Sequence, residues 1–275
     1  MRGSTPCPCE ANSRYGGNTA CVVLDVPGED PIILDLGTGL RMYGDTQPGD
    51  GSFRGTALVT HIHWDHVQGL PFFVPALKPG SQLDIYGPTQ GDGVSLQSAF
   101  DEFMRPPFFP VMASQLPGDI RFHDICDTQL AVGNAKVTVR SVPHVGETNG
   151  YRIDWNGVSV AYISDHQSPC TAGDEGVAIA DSVLELCEGV DLLVHDAQYW
   201  PGEWRNKNDW GHCTVDYAVH VARVAGARRL ALFHHDPAHD DAEVDKVLAH
   251  ARLRASGTCI DEVIAAYEGL TISYD

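Results

Sequence analysis

The sequence contains no long hydrophobic run. A membrane-spanning helix needs about 20 consecutive apolar residues, and no stretch of this chain approaches that length. The opening residues, Met1-Arg2-Gly3-Ser4-Thr5-Pro6, also lack the apolar segment of a secretory signal peptide. We therefore expect a protein that has no membrane partner and resides in the cytoplasm.

Basic residues are scarce. The chain has 18 lysines and arginines against 37 aspartates and glutamates, which gives a formal net charge of −19 at pH 7. No basic cluster is longer than Arg228-Arg229. Because a negative field of this size repels long polyanions, a long nucleic acid is an unexpected partner. A small anionic substrate is still compatible with this composition if metal ions bind it.

Closely paired cysteines are also few. Of the eight cysteines, Cys7-Pro8-Cys9 is the single close pair, and such a pair without a second one is a weak metal signal. The isolated ones are Cys21, Cys126, Cys170, Cys187, Cys213 and Cys259. In a chain without a signal peptide we expect them to be buried thiols rather than disulfides.

Histidine, in contrast, is concentrated. The segment His61-Ile62-His63-Trp64-Asp65-His66 places three histidines and an aspartate within six residues, directly after an apolar run and Thr60. If buried, such groups would leave polar atoms unpaired, whereas a divalent metal accepts imidazole and carboxylate donors. His61 and His63 point to the same side of an extended segment, and Asp65 and His66 can then face a second metal. This spacing favours a metal site over a polar loop with chance histidines.

Further candidate ligands follow predicted strands. The apolar runs at 136–142, 159–164, 191–194 and 229–233 each end at histidine or aspartate. These strand-end residues are His144, Asp165, His195 with Asp196, and His234 with His235. A single histidine in such a place is most often structural, but the repeated placement favours a shared metal site.

The alternation of apolar runs and turns predicts an α+β fold. The predicted strands are 20–26, 31–36, 57–60, 82–86, 120–124, 136–142, 150–155, 159–164, 191–195, 229–233 and 259–267. The predicted helices are 64–73, 94–103, 178–187, 214–225 and 240–253. Two β-rich halves, each closed by helices, indicate a two-sheet sandwich with helices outside, and we interpret 1–275 as one domain. The segment 105–110, rich in proline and phenylalanine, fits a lid or a rigid connector equally well.

The histidine and aspartate pattern resembles the metallo-β-lactamase superfamily in its dinuclear form. The resemblance spans essentially the whole chain and implies the αββα fold, two mixed β-sheets flanked by helices. It also implies a ligand set in which His61, His63 and His144 hold one metal, Asp65, His66 and His234 hold the other, and Asp165 bridges them. His63 stands where diiron relatives carry glutamate, so two zinc ions are expected, with manganese or iron as alternatives. The pattern favours His234, rather than its neighbour His235, as the metal ligand. His235 is then expected to support the site or to contact the substrate.

The C-terminal half resembles ribonuclease Z and related phosphodiesterases. The segments that carry this likeness are Val194-His195-Asp196-Ala197-Gln198-Tyr199, Gly211-His212-Cys213-Thr214 and Leu232-Phe233-His234. The resemblance implies a proton-handling role for His212, oriented by Asp196; the alternative for His212 is a helix-cap neighbour of Thr214. Two departures weaken a tRNA-processing function: the last motif reads His234-His235-Asp236-Pro237, and no long basic arm is visible.

These observations predict a dinuclear zinc phosphodiesterase that cleaves a small anionic diester, with a cyclic nucleotide as the best single guess. A hydroxide shared by the metals would attack phosphorus, Asp65 would orient it and take its proton, and His212 would protonate the leaving alkoxide. The alternatives are a ribonuclease Z-like nuclease, a hydrolase of lactones, thioesters or lactams, an iron oxygenase, and a non-catalytic regulatory binding protein. A homodimer is left open.

Overall fold

A computed structural model describes residues 1–169 and 177–274 of the chain. Its first sheet has five strands in the order β1-β2-β3-β4-β5. They are β1 (Val22–Leu24), β2 (Ile32–Leu34), β3 (Arg54–Leu58), β4 (Gln82–Gly87) and β5 (Asp119–Asp124). β1 and β2 form an antiparallel hairpin, while β2 to β5 run parallel.

The second sheet has seven strands in the order β12-β11-β10-β9-β8-β7-β6. They are β6 (Gln129–Val132), β7 (Ala135–Ser141), β8 (Asn149–Trp155), β9 (Val158–Ile163), β10 (Leu192–Asp196), β11 (Arg229–Phe233) and β12 (Glu262–Ala265). The strands β9 to β12 are parallel, and β6 to β9 are antiparallel. Both sheets are therefore mixed.

Helices cover the outer face of each sheet. They are α1 (Gly39–Gly44), α2 (Trp64–Val67), α3 (Leu96–Phe103), α4 (Asp181–Cys187), α5 (Pro201–Trp204), α6 (Val215–Ala225) and α7 (Asp241–Ala255). The two-residue period of a strand divides the core into layers: Ile32 and Leu34 pack between the sheets, whereas Ile33 packs outward against the α1 and α3 layer. On the far side, α4, α6 and α7 pack against the second sheet. The predicted αββα fold is confirmed.

The long helices begin and end at the residues that their sequence favours. The Thr214 side chain accepts a hydrogen bond from Tyr217 N at the start of α6, and Asp240 accepts one from Glu243 N at the start of α7. Gly226, with φ of 70°, ends α6 in the left-handed conformation that glycine adopts without strain. The helix predicted at 214–225 is confirmed.

Several predicted boundaries are wrong, for local reasons. The strand expected at 57–60 runs from Arg54 to Leu58, because Thr60 N donates to Asp35 Oδ1 instead of continuing the ladder. The helix expected at 64–73 ends at Val67, and short 3₁₀ turns with proline in their first turn follow it. The strands predicted at both chain ends are shorter than expected, and α1, β6 and α5 were not predicted.

Two other sequence expectations have mixed outcomes. Cys187 and Cys213 are buried free thiols as predicted, and Cys21 is half-buried, but Cys126 and Cys259 are exposed, so the predicted burial is wrong for these two. Cys170 lies outside the described residues. Over the described residues, no helix combines the length and the apolarity that crossing a membrane requires.

The proline-rich segment 105–110 carries no regular secondary structure. Phe109 packs against Phe72 with ring centroids 6.1 Å apart, whereas its neighbour Phe108 is exposed. The segment is thus partly anchored to the outer core of the first sheet.

Candidate metal centre

The predicted ligands meet at one edge of the sandwich because each follows the carboxyl end of a strand. His61 lies three residues after β3, His144 follows β7, and Asp165 follows β9. His234 follows β11 directly. The parallel strands of both sheets end at this edge, so side chains far apart in sequence become neighbours.

Three histidines form the first donor group. His61 Nε2 lies 2.8 Å from His63 Nδ1, and His144 Nε2 lies 3.3 Å from the same atom. Zinc bonds imidazole nitrogen at 2.0–2.1 Å, so the donors of a tetrahedral site are about 3.3 Å apart. The donor atoms of these three residues are thus spaced for a single ion.

Asp65, His66 and His234 form the second donor group. Asp65 Oδ2 lies 3.2 Å from His66 Nε2 and 3.0 Å from His234 Nε2. The two histidine Nε2 atoms are 3.3 Å apart. All three side chains are buried, and their donors surround a second point that suits one ion.

Asp165 stands between the two groups. Its Oδ2 is 3.8 Å from Nε2 of both His61 and His144, and 3.4 Å from His234 Nε2. Its Oδ1 is 3.1 Å from His66 Nε2, yet it is buried without a hydrogen bond of acceptable geometry. A buried carboxylate oxygen without a bond is costly, and a cation on either side of Asp165 would satisfy it.

In four histidines, the ring nitrogen that faces away from the donor cluster (the outer nitrogen, Nδ1) lies within hydrogen-bond distance of an oxygen atom. The other ring nitrogen, Nε2, is the inner one. The pairs are His61 Nδ1 with Thr60 Oγ1 at 3.0 Å, His66 Nδ1 with Asp35 Oδ2 at 2.8 Å, His144 Nδ1 with Gly211 O at 2.6 Å, and His234 Nδ1 with Gln198 Oε1 at 2.6 Å. Carbonyl, amide and carboxylate oxygens only accept, so the outer nitrogens of His66, His144 and His234 carry the protons. In the neutral form of each ring, the inner nitrogen presents a lone pair to the donor cluster. Such an arrangement fits metal ligation, in which outer partners fix the tautomer of each ligand.

The electrostatics of the centre also suit cations. Burial lowers the pKa of His66, but Asp165, Asp65 and Asp35 outweigh it and raise the pKa well above its usual value. Burial opposes ionisation of Asp65, yet His66 and His234 hold its pKa well below the usual range. Burial, with His66, holds the pKa of His61 well below normal. The site therefore combines ionised carboxylates, a neutral imidazole and a field that attracts positive charge.

His234 and His235 point to different places. His234 has a left-handed φ of 58°, which turns its ring into the donor cluster at the end of β11. The ring of His235 is buried against Tyr15, and its Nε2 lies 3.0 Å from Ala266 O. The side chain of His235 therefore points away from the donor cluster.

His212 lies beside the cluster and is aligned by Asp196. His212 Nδ1 is 2.9 Å from Asp196 Oδ2, and the His212 ring stacks on His234 with centroids 4.8 Å apart. Burial lowers the pKa of His212, but the Asp196 carboxylate outweighs it and the pKa is raised. Asp196 is itself fixed, since it also accepts hydrogen bonds from His166 N at 3.0 Å and Gln198 N at 2.9 Å. Capping of α6 involves Thr214 and does not account for the bond between His212 and Asp196.

Asp35 is a supporting residue that the sequence analysis missed. Besides His66, it accepts hydrogen bonds from Thr60 N at 2.7 Å and from Tyr162 OH at 2.8 Å. Its φ of 61° lies in the left-handed region, which is uncommon outside glycine. An aspartate near the end of a predicted strand, before the glycines at 37 and 39, is the available sequence signal.

The first residues of the chain also support the centre, and the sequence analysis did not predict this. Ser4 N donates to Asp65 Oδ2 at 2.8 Å. Gly3 lies so close to His234 that an added Cβ would be 2.2 Å from Nδ1. Arg2 is fully buried and anchors the segment by donating from Nε to Gly16 O at 2.8 Å. This segment therefore packs against the second donor group.

We expect Gly3→Ala to weaken metal binding at the second donor group by about 10- to 100-fold, the usual cost of disturbing a ligand's supporting contacts. The new methyl group would push the His234 ring from its position against Gln198. Zinc affinity measured by competition with a chromogenic chelator tests this. Gly49→Ala is the matched control, because a Cβ there meets nothing within 4 Å. Equal zinc affinity in the two variants would contradict the role given to the segment.

A cleft of about 560 Å³ opens over the donor cluster. The side formed by the donor cluster and its neighbour includes His63, Asp65, Asp165, His212 and His234. The remaining lining residues are Ser4, Ile62, Trp64, Val145, Asp209 and Trp210. A substrate in this cleft would contact the donor cluster and His212 together.

The two-sheet fold and its cluster of histidines and aspartates at the strand ends define a metal-dependent hydrolase. The family model of the Beta-lactamase superfamily domain matches residues 45–235. The chain is 26% identical over 262 residues to the ribonuclease Z of Thermococcus kodakarensis, covering 79% of this chain and 78% of the relative. The chain belongs to the metallo-β-lactamase superfamily.

Solved structures share the fold. The metallo-β-lactamase fold protein YhfI from Bacillus subtilis superposes with a TM-score of 0.71 at 20% identity, covering 98% of this chain and 94% of its own. The short form of human tRNase Z gives a TM-score of 0.66 at 19% identity, with 99% and 98% covered. At sequence identities this low, the similarity to these structures shows a shared fold and nothing more.

Proposed function

We propose that the protein is a dinuclear zinc phosphodiesterase that cleaves a small phosphodiester, with a cyclic nucleotide as the best candidate. The observation that carries this proposal is the position of His212. It lies 2.9 Å from Asp196, outside both donor groups, and lines the same cleft as the cluster. An alkoxide is a poor leaving group and needs a proton, and His212 is placed to deliver one.

The donor cluster supports the other half of the reaction. When bound, the metal ions acidify water and neutralise charge on the phosphate oxygens. Asp65 orients the attacking water and takes its proton while Ser4 N holds Asp65 Oδ2. As the new P–O bond forms, the P–O bond to the alcohol breaks, and His212 protonates the departing oxygen. Asp196 stabilises the positive charge of His212 before that transfer.

The charge and lining of the cleft support a small substrate. Apart from histidine, none of the described lining residues is basic, and Asp209 adds a negative charge at the rim. The whole chain carries a formal charge of −19. RNA binding draws its affinity from several phosphate contacts to lysine and arginine, and this cleft offers none.

A ribonuclease Z-like nuclease is the second candidate. Its support is the similarity to the ribonuclease Z of Thermococcus kodakarensis, which covers most of both chains. The acidic cleft and the motif His234-His235-Asp236-Pro237 argue for the small-diester function instead.

One assay separates these functions. We expect zinc-loaded protein to hydrolyse 3′,5′-cyclic AMP and bis-p-nitrophenyl phosphate much faster than a tRNA precursor. Asp165→Ala protein prepared in parallel controls for contaminating nucleases. Cleavage of the precursor well above the rate for any small diester would reverse the order of the two candidates. Absence of hydrolysis with all three substrates would contradict both.

A further inference from the structure

Beyond the donor cluster, the cleft has a second, aromatic part. Trp64 is 74% exposed and Trp210 is 59% exposed, and both line the cleft together with the exposed side chain of Val145. Exposed apolar side chains that group around a cleft are typical of a binding surface, whereas singly scattered ones are normal. A role in substrate contact would explain this exposure.

The Trp210 loop is fixed to the donor cluster. Gly211 O lies 2.6 Å from His144 Nδ1, and a Cβ on Gly211 would be 2.5 Å from that ring. Gln167 Nε2 donates to Asn208 O at 3.0 Å, and Lys207 Nζ lies 5.8 Å from the centre of the Trp210 ring. The indole is therefore presented from a loop that contacts one of the proposed ligands.

Trp64 is fixed in a different way. It is the first residue of α2 and stands between His63 and Asp65, which belong to the two donor groups. Its carbonyl oxygen accepts a hydrogen bond from Gln68 N at 2.9 Å, so its backbone is set by the helix. Both tryptophans are thus attached to the elements that place the donors.

The charges limit what the aromatic part can accept. No lysine or arginine belongs to the described lining, and Asp209 adjoins Trp210. Lys207, the cation beside Trp210, is already paired with Asp236 Oδ2 at 2.7 Å. A second phosphate on the substrate would therefore find no free countercharge among the described lining residues and would be repelled by Asp209. A planar, uncharged group can instead stack on an indole face, which gains affinity without a charge.

We propose that Trp64 and Trp210 bind the nucleobase of a substrate with a single phosphodiester group, so that the substrate class is a cyclic mononucleotide. This inference rests on the proposed function, because it assumes that the phosphodiester lies on the donor cluster. The tryptophans act as specificity-determining residues: they select the base, while the donor cluster and His212 act on the phosphate.

The test compares two substrates that differ only in the base. Hydrolysis of 3′,5′-cyclic AMP and of the 3′,5′-cyclic phosphate of methyl riboside is measured with zinc-loaded protein, and KM and kcat are determined for each. We expect the wild-type protein to have the lower KM for cyclic AMP. Trp210→Leu and Trp64→Leu should raise KM for cyclic AMP relative to the baseless substrate by about 5- to 100-fold, the range of base–aromatic stacking.

Conservative variants and a distant control make the result specific. Trp210→Phe and Trp64→Phe keep an aromatic face and should retain most of the preference. Leu253→Ala removes an apolar side chain that is 75% exposed on α7, outside the cleft lining, and should leave the KM ratio unchanged. Equal KM values for the two substrates in the wild type, or an unchanged ratio in both leucine variants, would overturn the inference while the proposed function stands. If neither substrate nor bis-p-nitrophenyl phosphate is hydrolysed, the proposed function itself fails.

Discussion

Replacing Asp165 with alanine is expected to lower kcat for small diesters by at least about 10³-fold and to remove most of the bound metal. Asp165 is the carboxylate that approaches histidines of both donor groups, at 3.8 Å from His61 and 3.4 Å from His234. Without it, neither ion would have its full set of donors. Elemental analysis of the purified variant, together with its steady-state kinetics, measures both effects.

A nearby carboxylate provides the control. Asp209 lines the same cleft but belongs to neither donor group, so Asp209→Ala should retain the metal content of the wild type. Asp165→Asn tests the charge of the bridge at nearly constant volume, and thermal unfolding shows whether each variant is folded. A folded Asp165→Ala protein that keeps two metal ions per chain would contradict the bridging role.

Replacing His212 with alanine is expected to lower kcat by about 10²- to 10⁴-fold for a diester with an alkoxide leaving group, with no loss of metal. The reason is the loss of the proton donor that Asp196 aligns at 2.9 Å. p-Nitrophenolate departs without a proton, so the same variant should lose far less activity on bis-p-nitrophenyl phosphate. The measurement is the ratio of kcat values for the two substrates, with metal content determined on the same preparation.

The comparison distinguishes proton delivery from other roles of His212. An equal loss on both substrates would argue that His212 positions the substrate or the cluster instead. Loss of zinc would make it a metal ligand, since its Nδ1 also lies 3.7 Å from Asp165 Oδ2. Asp196→Asn should reproduce the leaving-group dependence in weaker form, because Asp196 acts through His212.

Much of the fold was predictable because each inner strand is a short apolar run with clear ends. The buried strands β9, β10 and β11 lie within about a residue of their predicted bounds. β6 was missed because Gln129–Val132 alternates between exposed and half-buried residues at a sheet edge. The helix beginning at Trp64 was predicted too long, since its apolar pattern continues through Pro71 and Pro75, which interrupt the helical hydrogen bonds.

The donor cluster was predictable from local spacing, but its supporting residues were not. Four of the seven proposed ligands lie within six residues, and the other three each follow an apolar strand. Asp35, Ser4 and Gln198 contact ligands that are distant in sequence. Ser4 bonds Asp65, 61 residues later, and Gln198 bonds His234, 36 residues later. No periodicity encodes such contacts, because they depend on how the two sheets pack together.

The central claim, that two metal ions per chain enable phosphodiester hydrolysis, is tested most directly by metal reconstitution. Protein freed of metal with a chelator is titrated with zinc, and hydrolysis of 3′,5′-cyclic AMP and bis-p-nitrophenyl phosphate is measured at each zinc-to-protein ratio. The two donor groups predict that activity is absent without metal and levels off at two zinc ions per chain. Full activity in metal-free protein, or a plateau at one zinc ion per chain, would contradict it.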